Sequence, residues 1–61
     1  MPQVIVYALK GRTPAQKKGL MRAITDAVAE HFEVAADGVV VQIVEAEKDS
    51  KSEGGIPHSE R

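Results

Sequence analysis

Two aliphatic segments, QVIVYAL at residues 3–9 and VVVQIVE at residues 39–45, flank a single stretch with helical patterning. Successive strand side chains point to opposite faces, so Val4, Val6 and Ala8 share one side of the first segment while Ile5, Tyr7 and Leu9 share the other. Neither side alternates into polarity, and a strand of that kind demands burial on both faces. Strand, helix and strand make a βαβ unit, whose right-handed crossover sets the two strands parallel in one sheet. One helix covers one face of that sheet. The other face, with nothing in the chain to cover it, must pack on another copy, so the pattern predicts a homo-oligomer.

The intervening segment carries its own start signal. Thr13-Pro14-Ala15-Gln16 supplies an N-cap, a proline at the first helical position and a glutamine three residues after the cap, the spacing of a capping box. The expected helix spans residues 13–32. Leu20, Ile24, Ala27, Val28 and His31 recur at spacings of three and four and form the predicted apolar stripe, edged by Met21 and Phe32. Lys17, Lys18, Arg22, Asp26 and Glu30 form the predicted solvated side. Gly19 costs roughly 1 kcal/mol relative to alanine in a helix interior, and close packing is the expected reason for it.

The chain has 61 residues, a size at which only about 60% of the unfolded surface is buried and extra reinforcement is usual. With no cysteine, disulfides and thiolate metal sites are excluded, and His31 and His58 alone do not suggest a zinc site. Self-association is the reinforcement that remains. Eight Lys and Arg against nine Asp and Glu, scattered along the chain, together with one Tyr and one Phe, argue against nucleic acid. The apolar runs are too short to span a membrane, and no signal peptide is visible, so the expectation is a soluble, cytoplasmic protein. Residues 46–61 turn polar, with Gly54-Gly55 as a turn signal; they form either a disordered tail or a C-terminal arm whose hairpin lies on a neighbouring subunit. The whole is read as one α/β domain over residues 1–61.

Two residues stand where chemistry is available. Removal of Met1 would leave Pro2 as a free secondary amine, and an α-amino group has an ordinary pKa near 8 that desolvation or a nearby cation lowers, making a general base at neutral pH. The alternative is a strand-edge proline with no chemical role, and a retained methionine would convert its nitrogen to a non-basic amide. Arg12 lies between the first strand and the helix cap, at the sheet edge where ligands collect, and guanidinium binds carboxylate through paired hydrogen bonds. Its alternative is a loop arginine in water.

Pro2, the aliphatic strand, the Gly11-Arg12-Thr13 turn followed by Gln16-Lys17, the amphipathic helix, the Val/Ile strand ending at Glu45 and the Gly54-Gly55 turn resemble the 4-oxalocrotonate tautomerase family along nearly the whole chain. The resemblance implies a hexamer built as a trimer of dimers, each dimer joining two βαβ units into a four-stranded sheet. It implies a cofactor-independent isomerase of aromatic-compound degradation, with Pro2 as catalytic base, Arg12 binding the carboxylate of a small enol or 2-hydroxydienoate acid, and the Gly54-Gly55 hairpin closing a site shared between subunits. Two positions depart from the family's pattern. Val40 stands where a second substrate-binding arginine is usual, and Lys51 stands near the place of an aromatic. Lys51, His58 or Arg61 would have to replace the missing cation, and His58 is also a candidate proton donor. Pro2 and Arg12 are ten residues apart on one extended segment, roughly 33 Å, so a site using both must join two subunits. Hydratase, dehalogenase or decarboxylase chemistry with Pro2 as general acid, and a non-catalytic homo-oligomer, are the alternatives.

Overall fold

The computed structural model describes residues 1–61. Strand β1 (Gln3–Leu9), helix α1 (Pro14–Phe32) and strand β2 (Val40–Ala46) form the βαβ unit, with β1 and β2 parallel and in register from Gln3 opposite Val40 to Leu9 opposite Ala46. β2 is displaced by one residue from the expected 39–45. The Val39 N–H donates to the Ala36 carbonyl and closes a 3-10 turn over Ala36–Gly38, which withdraws Val39 from the ladder. At the far end the Lys10 N–H donates to the Ala46 carbonyl at 2.9 Å and keeps the strands paired to the last residue.

The start of α1 is built as its sequence directs. The Thr13 hydroxyl accepts from the Gln16 N–H at 3.1 Å, and the Gln16 side chain accepts from the Thr13 N–H at 2.9 Å, a reciprocal capping box ahead of Pro14. The helix ends at Glu33, which adopts the left-handed conformation (φ 56, ψ 48) and donates its N–H to the Ala29 carbonyl. Glycine usually fills that position because a Cβ is strained there.

The face that α1 presents to the sheet is rotated from the predicted stripe. Lys17, Met21, Ile24, Thr25, Val28 and Ala29 are the half-buried positions, whereas Leu20, Ala27, His31 and Phe32 are exposed. A two-stranded sheet is narrower than the helix's apolar stripe, so one flank of that stripe lies over the sheet and the other lies open. At Gly19 a built Cβ would meet nothing within 4 Å, so no close contact inside the subunit explains the glycine.

Val4, Val6 and Ala8 of β1 and Val41, Ile43 and Glu45 of β2 share the helix side of the sheet; Gln3, Ile5, Tyr7, Val40, Gln42 and Val44 line the open side. No residue of the chain is fully buried, and Tyr7 retains 74% of its accessible surface. The accessible area of 4694 Å² exceeds the roughly 3,900 Å² expected of a compact monomer of this mass. The radius of gyration is 14.6 Å where about 10.5 Å is usual for such a length. The subunit is a slab of 43 × 22 × 13 Å, with half a core on one side of its sheet and an apolar surface on the other.

The C-terminal arm is ordered as a hairpin. β3 (Ser52–Glu53) pairs antiparallel with β4 (Ile56–Pro57) across Gly54-Gly55, which have φ of 62 and 81. Two consecutive residues at positive φ make the tight hairpin turn that glycine alone enters without strain. 3-10 turns at Lys48–Ser50 and His58–Glu60 flank the hairpin and pack on each other, and the His58 N–H donates to the Lys51 carbonyl at 2.8 Å.

Candidate active site

The sequence-predicted site residues fall into two groups at opposite ends of the sheet. At one end Pro2 precedes β1 and is half-buried, and its carbonyl accepts the Val40 N–H at 3.0 Å. Val40 therefore stands beside Pro2, on the open apolar side, where its isopropyl group offers no charge to a carboxylate. Met1 is almost wholly exposed, so the residue ahead of Pro2 contributes no packing to this end.

Arg12 lies at the other end. Gly11 has a φ of 138, a region that side chains rarely adopt, and this turn carries the chain from the end of β1 into the helix cap. Lys10, just before the turn, pairs with Glu47 at 2.9 Å. That hydrogen bond and the charge of Glu47 hold the Lys10 ammonium above its ordinary pKa. Such stabilisation is complete below the ordinary lysine pKa and is lost only as pH climbs through the raised one, so Lys10 stays charged across the neutral range. Lys17, just after the cap, pairs with Glu45 at 2.8 Å. Arg12 itself is exposed and has no carboxylate partner.

A cleft of about 370 Å³ opens beside this loop, lined by Lys10, Gly11, Glu47, Lys48, Asp49 and Ser59. Among the cations of the arm, Arg61 is engaged by Glu53, through its backbone carbonyl at 3.3 Å and its carboxylate at 3.6 Å, and His58 is half-buried. Lys51 and Lys48 are exposed and unpaired. Of the three replacement cations expected from the sequence, Arg61 is held by Glu53, His58 is half-buried without a side-chain partner, and Lys51 is exposed and unpaired.

The fastening of the Arg12 loop by Lys10 and Lys17 is absent from the sequence-based prediction. A signal for it exists: Glu45 is in phase with Val41 and Ile43, and Lys17 is in phase with Met21, Ile24 and Val28, so each places a charge on an otherwise apolar face. Two opposite charges on facing apolar surfaces call for each other.

One chain holds a proline at position two and an unpaired arginine at the two ends of a strand, in a βαβ slab that lacks half its core. Known proteins share this fold. A family model described as "Tautomerase enzyme" matches residues 2–55. A probable tautomerase of Bradyrhizobium diazoefficiens is 46% identical over 61 residues, covering 100% of this chain and 91% of its own length. A 2-hydroxymuconate tautomerase of Bacillus subtilis is 40% identical over 55 residues, covering 90% of this chain and 89% of its own. Among solved structures, a 4-oxalocrotonate tautomerase homologue superposes with a TM-score of 0.94 at 28% identity, covering 100% of this chain and 97% of the other. A heterohexamer 4-oxalocrotonate tautomerase from Chloroflexus aurantiacus gives 0.87 at 33% identity, covering 98% and 97%. The chain belongs to the 4-oxalocrotonate tautomerase family. Its relatives mark it as an isomerase-type enzyme.

Proposed function

We propose that this chain is a cofactor-independent keto–enol tautomerase of a small enol or 2-hydroxydienoate carboxylic acid, assembled as a homo-oligomer, with Pro2 as general base once Met1 is removed. The neutral secondary amine of Pro2 takes the enol O–H proton and becomes an ammonium. The electron pair moves through the conjugated system, the oxygen becomes a carbonyl, and Pro2 returns the proton at carbon. Arg12 of a neighbouring subunit holds the substrate carboxylate and opposes the negative charge of the dienolate. Val40 supplies an apolar wall beside Pro2, and Lys51 supplies the cation that Val40 lacks. A dicarboxylate such as 2-hydroxymuconate, named for the Bacillus subtilis relative, suits two such cations.

The observation that carries this proposal is the placement of Pro2 and Arg12 at opposite ends of β1 in a subunit with no buried residue. The apolar open face supports association, and the Chloroflexus aurantiacus relative is described as a heterohexamer. Assembly into dimers and then a hexamer brings the Pro2 end of one sheet to the Arg12 end of another. Intact-mass measurement of the cellular protein, paired with a ketonisation assay on 2-hydroxymuconate, tests the proposal. Loss of one methionine mass and turnover that falls about 100-fold in Pro2→Ala are expected. A retained Met1, or an undiminished Pro2→Ala enzyme, contradicts it. Val40 is the observation on the side of the second reading, a homo-oligomer without catalysis, for which full-length mass and absent turnover would be found together.

A further inference from the structure

Three consecutive residues at the end of β2 hold both sides of the Arg12 loop. The Glu47 carboxylate takes the Lys10 ammonium, the Ala46 carbonyl takes the Lys10 N–H, and the Glu45 carboxylate takes the Lys17 ammonium at 2.8 Å. Lys17 belongs to the first turn of α1, where its N–H donates to the Thr13 carbonyl at 3.1 Å, so the Glu45 contact fixes the helix start directly behind the cap. Between the two fastenings only Gly11, Arg12 and Thr13 are suspended, and Thr13 is itself held by the capping box.

The Lys17–Glu45 pair differs from the chain's other ion pairs. Its side chains retain only 31% and 23% of their accessibility, against 62% and 60% for Lys10 and Glu47. Removing two charges from water costs desolvation that their attraction does not reliably repay, and two apolar side chains would fill the same space. A half-buried pair at this point is better explained by geometry than by stability. It also leaves neither Glu45 nor Glu47 without a cation, so these two carboxylates at the end of β2 do not claim Arg12.

We propose that Lys17 and Glu45 are positioning residues, whose ion pair between the first turn of α1 and the end of β2 fixes the backbone that carries Arg12 and so presents its unpaired guanidinium to an incoming carboxylate. The proposal rests on the reading of Arg12 as the carboxylate-binding group. The test uses the full-length oligomer with Lys17→Gln, Glu45→Gln and the exchanged double variant Lys17→Glu/Glu45→Lys. Kinetics on 2-hydroxymuconate should show KM raised about tenfold in each single variant with kcat changed less than about twofold, and KM largely recovered in the exchanged pair. Backbone ¹⁵N relaxation should show Arg12 as ordered as β1 in the wild type and mobile in both single variants. Unchanged Arg12 order, or kcat and KM shifting together with a fall in Tm and no recovery on exchange, would overturn the proposal. A wild-type protein without turnover defeats the tautomerase reading instead, and the relaxation measurement still decides whether the pair orders Arg12.

Discussion

At its C-terminal end, β1 runs into a loop fastened by Lys10, Thr13 and Lys17 to the end of β2 and the first turn of α1. At its N-terminal end, Pro2 is tied to β2 by one backbone bond to Val40, beside a sheet face with nothing over it. The Arg12 end is finished within one subunit; the Pro2 end is not. A substrate-binding arginine gains from being fixed before its ligand arrives, because less freedom is lost on binding. A proline acting as the proposed base would depend on exclusion of water, which one half-covered subunit of 61 residues does not provide and association would supply.

The largest effect is expected where the unfinished end is kept unfinished. Ile5→Asp places a charge in the middle of the open sheet face while leaving the helix side untouched. Sedimentation should show dissociated subunits, and turnover should fall by about 100-fold or more as the Pro2 end loses its walls. A dissociated but fully active variant would contradict the joint site. Lys51→Gln sharpens the contrast by removing the arm's cation that the proposal assigns to the substrate. KM for a dicarboxylate enol should rise about tenfold while KM for a monocarboxylate enol changes little, as measured by ketonisation rates. The smallest effect lies away from both ends. Glu33→Gly relieves the left-handed backbone at the end of α1 and should raise stability by about 0.5 kcal/mol in chemical denaturation, with kcat/KM unchanged.

Much of the architecture is readable from residue type and spacing. The β-branched run at residues 3–9, the Thr13-Pro14-Gln16 start signal and the Gly54-Gly55 turn each appear in the structure as the pattern directs, because each is decided by local chemistry. Where tertiary geometry decides, local chemistry is insufficient. Leu20, Ala27 and His31 fit a helical stripe by periodicity, yet the sheet presents too little width to cover them, and Lys17 takes the inward position instead. Val39 has strand propensity but is taken by the turn at Ala36. Glu33 carries none of the composition that marks a left-handed residue. The candidate site divides the same way. Pro2 and Arg12 stand out from their chemistry, whereas Lys17 and Glu45 emerge only once the phase of the helix on the sheet is known.

Subunit mixing tests most directly whether the two ends of β1 meet across a subunit boundary. Pro2→Ala and Arg12→Ala proteins, each severely impaired alone, are unfolded together, refolded as mixed oligomers at equal ratio and assayed. Random assembly should leave about a quarter of the sites with an intact Pro2 and an intact Arg12 from different chains, so activity should return to about a quarter of wild type. Mixed oligomers no more active than either parent would contradict a site shared in this way.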